Sequence, residues 1–424
     1  MIWVALSGLV LLLIGVPVAF SLGLAGLVGV LLADIPLSIV TTRLFTGVDS
    51  FVFLAVPFYI LAAEIMSQGG ITTRLIAIAS NATRKMRGGT AYANIGTSVL
   101  FAGISGSAVA DAAALGRVFM QEMPKEGYSR PYAAAVTVAS SIIGPIIPPS
   151  GLAILIGAVT GVSIIDLFLA GVGPGILLGS ACAAIVFFDA VRGRLPRPRV
   201  ADHHGPRWRM LVEGVAVATL PLIIVGGMVM GAYTATEGGG IAVAYAIFLS
   251  VVVFRKMDMA GLWQAFMRAA RTSATIYLLV AAATILSYAL NLLGISGFVR
   301  EAALIFQDQP LFFLLALSVL MLILGTFLDI GAAILIFMPL VMPAVIALGI
   351  DPLQASMIVM VTLAIGLVTP PVGVVLFVIM RVGSIGMIPL LRALLPFLIA
   401  QLVAVVILCL VPEISTWLPQ TLNP

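Results

Sequence analysis

The chain has 424 residues, 62% of them hydrophobic and 9% charged, with a formal net charge of +4. A mean hydropathy of +1.23 lies far outside the range of soluble globular domains and implies an all-α integral membrane protein that crosses the bilayer many times. The basic excess is mostly loop arginine, which reports topology rather than a nucleic-acid partner, and no organic cofactor motif is present.

Basic loops mark the cytoplasmic side of a membrane protein, and the elements follow in chain order from that rule. Residues 2–33 have no basic region before them and run past signal-peptide length, so they read as a retained segment. They are expected to form two short spans broken at "GVPVAF", residues 15–20. Glu64 ends the next apolar span near the cytoplasmic boundary, as a snorkelling group or an inter-helix hydrogen bond. "RKMRGG" (84–89) and "RVFMQEMPKEGYSR" (117–130) are both basic and therefore on the same side. The 27 residues between them (90–116) are too few for two passes of about 20 residues each, which predicts a re-entrant hairpin with its tip at "GISGSA", residues 103–108. Spans at 130–161 and 166–188 follow, the first interrupted by "IIGPIIPPSG" (142–151). The linker, "RGRLPRPRVADHHGPRWR", holds six arginines and the paired His203 and His204.

Beyond the linker, 211–233 and 238–254 read as spans, with "TATE" (234–237) as a helix-capping box. "MAGLWQAFMRAAR" (259–271) is amphipathic and suits a helix lying along the interface, ahead of a span at 276–293. Residues 309–349, interrupted by "GTFLDIGAA", predict a second hairpin near 310–345. Spans at 353–383, broken by "GLVTPPVG", and 388–410 complete about ten transmembrane helices. Cys182 and Cys409 lie within spans and read as small buried hydrophobes; nothing has metal-ligand spacing for Cys or His.

An internal repeat organises these elements. A constant offset of 222 pairs Gly103 with Gly325, Ala110 with Ala332, Gly127 with Gly349, Gly144 with Gly366, Pro148 with Pro370, Pro149 with Pro371, Gly151 with Gly373 and Gly161 with Gly383. One register without gaps, carried mostly by Gly and Pro, divides the chain into two inverted repeats, 1–188 and 211–424, joined by the cytoplasmic linker 189–210. Proline breaks a helix interior, and irregular backbone survives in hydrocarbon only where it is buried in protein or lines a polar cavity. Paired breaks in two inverted halves therefore point to a binding site near the midplane, with freed carbonyls for a cation and helix N-termini for an anion.

The tip "GISGSAVADAAALG", the two breaks "GPIIPPSG" and "GLVTPPVG", "GVPVAFSLG" near the start and "YTATEGGGIAVAYA" in the second half together resemble the large membrane subunit of TRAP (tripartite ATP-independent periplasmic) transporters, DctM/SiaM type, in the ion transporter superfamily. The similarity covers essentially the whole chain. It implies an elevator-type transporter in a bacterial inner (cytoplasmic) membrane that imports a small organic acid with sodium. A periplasmic substrate-binding protein would deliver the substrate, and a small four-helix membrane subunit would be an obligate partner. The resemblance places one Na+ among Gly103, Ser105, Gly106, Ser107, Gly144, Pro148 and Ser150. It places a second among Gly325, Thr326, Asp329, Gly366, Thr369 and Gly373. The substrate would lie between the tips, with Ser107, Asp111, Pro149, Pro371 and Arg381 as its candidate contacts. One departure is "VVLFVIMR" (374–381), apolar up to Arg381 where family members often offer an amide near Val375.

The ionisable residues keep two readings each. Asp329 is a site residue or a helix cap, Asp111 a site residue or an acceptor at a helix start, and Arg381 an interface anchor or a carboxylate clamp. A stand-alone carrier for dicarboxylates of the same superfamily, with protons as a substitute for sodium, is the runner-up. An intramembrane enzyme would need a nucleophile with its base or metal ligands at membrane depth, and the spans hold no His, HExxH or GxSxG helix. A passive channel fits paired hairpins poorly, since these suit occlusion of one site from two sides.

Overall fold

The computed structural model describes residues 2–196 and 207–423; residues 197–206 of the linker, with His203 and His204, lie outside them. Among the described residues every regular element is helical. Helices α1 (Ile2–Leu13) and α2 (Val18–Leu32) are separated by Gly15, at φ 87°, and Pro17. A left-handed turn suits glycine, and proline ahead of the first helical turn gives up no hydrogen bond, so the N-terminal run is two helices. Next come α3 (Ser38–Val48), a 3₁₀ turn at Phe51–Leu54, α4 (Ala55–Gln68) and the short α5 (Ile71–Thr83). The first hairpin is α6 (Gly89–Ser105) and α7 (Ala108–Lys125). The first broken span is α8 (Arg130–Ser141) and α9 (Gly151–Thr160), followed by α10 (Ile164–Val191).

The second half opens with α11 (Arg207–Val229) and α12 (Ala235–Ile247), which ends in a π-helical turn. Thr234 and Glu237 form the expected capping box at the start of α12. The interfacial helix and separate span expected at 259–293 are instead one helix, α13 (Met259–Leu292). At 1.5 Å per residue its 34 residues reach about 51 Å, longer than a hydrocarbon core of about 30 Å, so the amphipathic stretch is the continuation of a span. The remaining helices are α14 (Ile295–Leu304), the second hairpin α15 (Pro310–Phe327) and α16 (Ile330–Ala347), the second broken span α17 (Pro352–Gly366) and α18 (Val374–Gly383), then α19 (Met387–Leu410) and α20 (Glu413–Leu422). Helices α3, α5, α14 and α20 were not expected as separate elements. Each is 10–13 residues long, too short to announce itself as a span.

Among the described residues seven helices are long and apolar enough to cross a membrane. That number differs from ten because α1, α2, α9, the described part of α11, α17 and α18 are shorter apolar helices. The repeat register holds at the level of helices: α7 and α8 begin at 108 and 130, and α16 and α17 begin 222 residues later at 330 and 352. Packing repeats as well. Helix α9 packs on α16 and α18 on α7, so the second half of each broken span rests on the hairpin of the other repeat. Exchanging the halves also maps the α2–α13 contact onto α12–α4. Interlocked pairs that map onto each other are what a pseudo-two-fold axis produces.

Two packed groups result. Helices α1 to α4, α12 and α13 form one; the hairpins, the broken spans, α10, α19 and α20 form the other. The centre of the second group is the repeat-related pair α8 and α17, where residues 133–141 and 354–366 are all buried. Small side chains at Ala133, Ala134 and Ala135 permit that depth, since close helix approach in a membrane depends on small residues. The buried hydroxyls of Thr137 and Ser140 on α8 are paired with α6: Asn94 Nδ2 donates to Thr137 Oγ1 at 2.7 Å and Ser98 Oγ to Ser140 Oγ at 2.8 Å. The opposite faces of outer helices expose Trp3, Leu9, Leu222 and Ile399, as lipid-facing helices do.

Candidate functional site

The first hairpin tip is built by local backbone chemistry. Gly106, at φ 61°, ends α6 in a left-handed turn, and Ser107 then caps α7, its hydroxyl accepting from Ala110 N at 3.4 Å. Ser105 Oγ donates to Ser107 O and accepts from Ser107 N, both at 3.3 Å, which closes the tip on itself. The first break, residues 142–150, lies against this tip: a Cβ built on Gly103 would be 3.3 Å from Pro148 O, and one on Gly106 3.8 Å from Pro149 O. Gly103 also receives the ring of Pro221 from α11, and no larger residue would fit there. Ser150 caps α9 through Ala153 N while its hydroxyl donates to Pro145 O. Gly103 and Gly106 of the tip that holds Ser105 and Ser107 are thus brought to the carbonyls of Pro148 and Pro149. Ser150 is engaged within its own break, and Gly144 lies deeper, against the carboxylate of Asp111.

The second set converges through backbone. Gly325 and Gly366 touch: a Cβ on Gly366 would be 2.5 Å from Gly325 C, so α15 and α17 cross at a glycine pair. Gly373 N donates to Thr326 O at 3.4 Å, tying the break to the hairpin. The hydroxyls of Thr326 and Thr369 donate to carbonyls three and four residues earlier, Ile323 O and Ile365 O, both at 2.8 Å. Asp329 caps α16, accepting from Gly331 N at 2.9 Å and Ala332 N at 3.4 Å. Both sets are oxygen-rich, the donor chemistry a hard monovalent cation takes.

A cavity of about 980 Å³ lies between the two helix groups. This is the size of a pocket for a small organic molecule. Gly103, Ser105, Gly106, Ser107, Pro149 and Asp329 line it, so the structure brings both hairpin tips and the first break to one space. Three helix N-termini, those of α7, α9 and α16, face it through Ser107, Gly151 and Gly331. The aligned backbone dipoles there favour negative charge on a ligand. Its walls come from α2, α4, α11, α12 and α13.

Asp111, Gly144, Pro148, Ser150, Gly325, Thr326, Gly366, Thr369, Gly373, Pro371 and Arg381 do not line this cavity. Arg381 is exposed near the end of α18, in keeping with an anchor rather than a clamp, and Val375 and Leu376 are fully buried, so the apolar start of α18 is core. Sequence reasoning missed Tyr59, Ser67, Thr272 and Thr275 as lining residues and placed Glu64 only at a boundary. The signal available for the threonines was a polar pair three apart, one helical turn, where the amphipathic part of α13 passes into its apolar part. Glu64 accepts from Gln68 Nε2 at 3.3 Å and is, with Asp329, a carboxylate of the lining; among the described residues of the lining none is Lys, Arg or His.

The sequence pattern of the family described as "Tripartite ATP-independent periplasmic transporter, DctM component" matches residues 6–414. The chain belongs to this family. The sialic acid TRAP transporter large permease SiaM of Vibrio cholerae is 33% identical over 97% of this chain and 96% of its own length. The C4-dicarboxylate TRAP transporter large permease DctM of the same organism is 32% identical over 97% and 96%. In structure the chain is similar to the Alcanivorax borkumensis YdaH transporter, with a TM-score of 0.63 over 92% of this chain and 90% of that one, at 16% identity. That likeness is one of fold. As a TRAP large permease the chain is a multi-pass membrane transporter subunit, not an enzyme.

Proposed function

We propose that the chain is the transport-bearing subunit of a sodium-coupled importer for a small organic acid. The hairpins and broken spans move past the α1–α4, α12 and α13 group in an elevator motion. The observation that carries this reading is the cavity between the two groups, with both hairpin tips and three helix N-termini on its lining. The N-termini complement a carboxylate, and the anionic substrates named for the two relatives, sialic acid and a C4-dicarboxylate, belong to that class. Sodium would be held at the two tip-and-break contacts, by Ser105, Ser107 and the carbonyls of Pro148 and Pro149 in the first, and by backbone around Gly325, Gly366 and Thr369 with Asp329 in the second. A bound cation there supplies the charge that lets an anion sit beside Asp329. The linker 189–210 is cytoplasmic in an inner membrane, and the cavity opens toward that side, since Glu64 lies toward the C-terminal end of α4, ahead of Arg74, and Thr272 adjoins Arg271. A small membrane subunit and a periplasmic binding protein complete the system.

The test is uptake into proteoliposomes that hold the chain with its small membrane subunit, an inward sodium gradient, and sialic acid or a C4-dicarboxylate presented with the cognate binding protein. Uptake that needs all three proteins and sodium is expected. Uptake by the chain alone would favour the stand-alone carrier, and equal rates in sodium and choline would remove sodium as the coupling ion.

A further inference from the structure

Two buried glutamines, Gln354 on α17 and Gln401 on α19, each donate to main-chain carbonyls of a neighbouring helix, and the two cases differ. Gln354 Nε2 donates to Leu408 O at 3.0 Å and to Cys409 O at 3.2 Å, at the end of α19. Residue 412, whose N–H would close a turn on Leu408 O, is proline and has none, so a side chain fills the gap. Gln401 Nε2 donates to Ala139 O at 2.8 Å and lies 3.6 Å from Cys182 Sγ. A carbonyl only accepts, which fixes the nitrogen end of this amide. Here the backbone does own a donor. Ile143 N–H would close the next turn of α8 on Ala139 O, and it donates instead to Ser140 O at 3.2 Å. Gln401 stands in for a helical turn that the chain could have made.

In the second repeat that turn is made. Exchanging the halves maps the α19–α8 contact onto α10–α17, and in the register of 222 Gln401 corresponds to Gly179 and Ala139 to Val361. Ser141, whose hydroxyl donates to Val138 O at 2.8 Å, corresponds to Leu363. With neither donor present, α17 runs to Gly366, three residues past the position at which α8 stops. The first break is accordingly 142–150 and the second the shorter 367–373. A buried carbonyl left unpaired is costly, so a helix that ends early inside a membrane needs donors from elsewhere. The side-chain oxygen of Gln401 has no partner among the described residues, so the residue is not kept for its own satisfaction. What it secures is the end of α8. The longer break is also the one that reaches the cavity, through Pro149, with Gly151 of α9 beside it; no residue of 367–373 lines that space.

We propose that Gln401 is a positioning residue for transport: from α19 it ends α8 early, and thereby sets the length of the first break and the seat of Pro149 and the start of α9 at the cavity. It does not line the cavity itself. The consequence for uptake rests on the importer reading; the effect on the break does not.

The experiment places a reporter thiol by Gly151→Cys, where an added Cβ meets nothing within 4 Å and the position lines the cavity; Cys182 and Cys409 are buried. The purified full chain is reacted with a polar maleimide, with and without Gln401→Met, which keeps the length of the side chain and removes its donor. In Gln401→Met, Ile143 N–H is expected to take Ala139 O and shorten the break. Labelling at position 151 then slows about fivefold or more as exposure falls, while the unfolding temperature stays at or above that of the parent. Gln354→Met leaves carbonyls that no backbone donor can serve and is expected to do the reverse, lowering the unfolding temperature with labelling unchanged. In proteoliposomes with the small membrane subunit and binding protein, Gln401→Met is expected to raise the half-saturating concentration of sialic acid or a C4-dicarboxylate about fivefold with little change in maximal rate, the mark of lost binding geometry. Gln401→Leu repeats the test where the methionine variant does not fold. Unchanged labelling, equal slowing in Gln354→Met, or loss of folding in both Gln401 variants would make the residue a structural tie and overturn the proposal. Slowed labelling in a chain that takes up neither acid would sink the importer reading alone; uptake with unchanged labelling would sink the positioning role alone.

Discussion

The two proline breaks share a register and differ in environment. At the first, Pro148, Pro149 and Ser150 are all buried, and Pro149 lines the cavity; at the second, Pro370 and Pro371 are exposed. The glycines that admit them differ in the same way. Gly144 makes room for a carboxylate and Gly366 for the backbone of Gly325. Duplication supplied the same break twice, and tertiary contacts turned one copy into a polar, enclosed wall and the other into an open crossing of helices. A repeat can thus conserve backbone geometry while the side chains that meet it diverge.

Substitutions can break or sharpen that contrast. The largest stability effect is expected from Gly366→Ala, since its Cβ meets backbone that cannot yield; overpacking of this kind costs about 1–3 kcal/mol, seen as a lowered unfolding temperature. A parent-like unfolding temperature would mean that α15 and α17 part easily, and the contrast with Gly144 would lose its basis. Next is the pair of tip caps. Asp329→Ala removes two acceptor contacts and Ser107→Ala one, so the first is expected to cost about 1 kcal/mol and the second less, with Asp329→Ser restoring most of the loss. Equal losses would say that the tips are held by packing rather than by caps. In uptake assays, Glu64→Gln is expected to lower the half-saturating concentration of an anionic substrate a few-fold by removing one carboxylate from the cavity. The smallest effect belongs to Arg381→Ala, within about 0.5 kcal/mol of the parent in unfolding, because the side chain is exposed and distant from the cavity lining. A marked loss of uptake in that variant would restore the carboxylate clamp.

Much of the architecture was legible in the sequence because it depends on local rules. Hydropathy announces spans, and Gly15 with Pro17 announces the first interruption. The 27 residues between two basic loops leave room only for a hairpin, and Gly and Pro at a fixed offset reveal the repeat. The cap chemistry of Thr234 and Glu237 could be read because a capping box acts within four residues. The amphipathic start of α13 misled for the same reason: a local pattern suited to an interface says nothing of whether the helix stops before the next span.

What only the tertiary structure decided is which oxygens face one another. That α9 rests on α16 and α18 on α7, that Thr272 and Glu64 reach the cavity while Arg381 does not, and that the carboxylate of Asp111 meets Gly144 instead of a backbone donor are all contacts between segments far apart in the chain. Composition, periodicity and spacing determine where a membrane helix runs and where it breaks, because those are set by the bilayer and the backbone. The partner of each buried polar group is set by how the helices dock, and no single stretch of sequence carries that information.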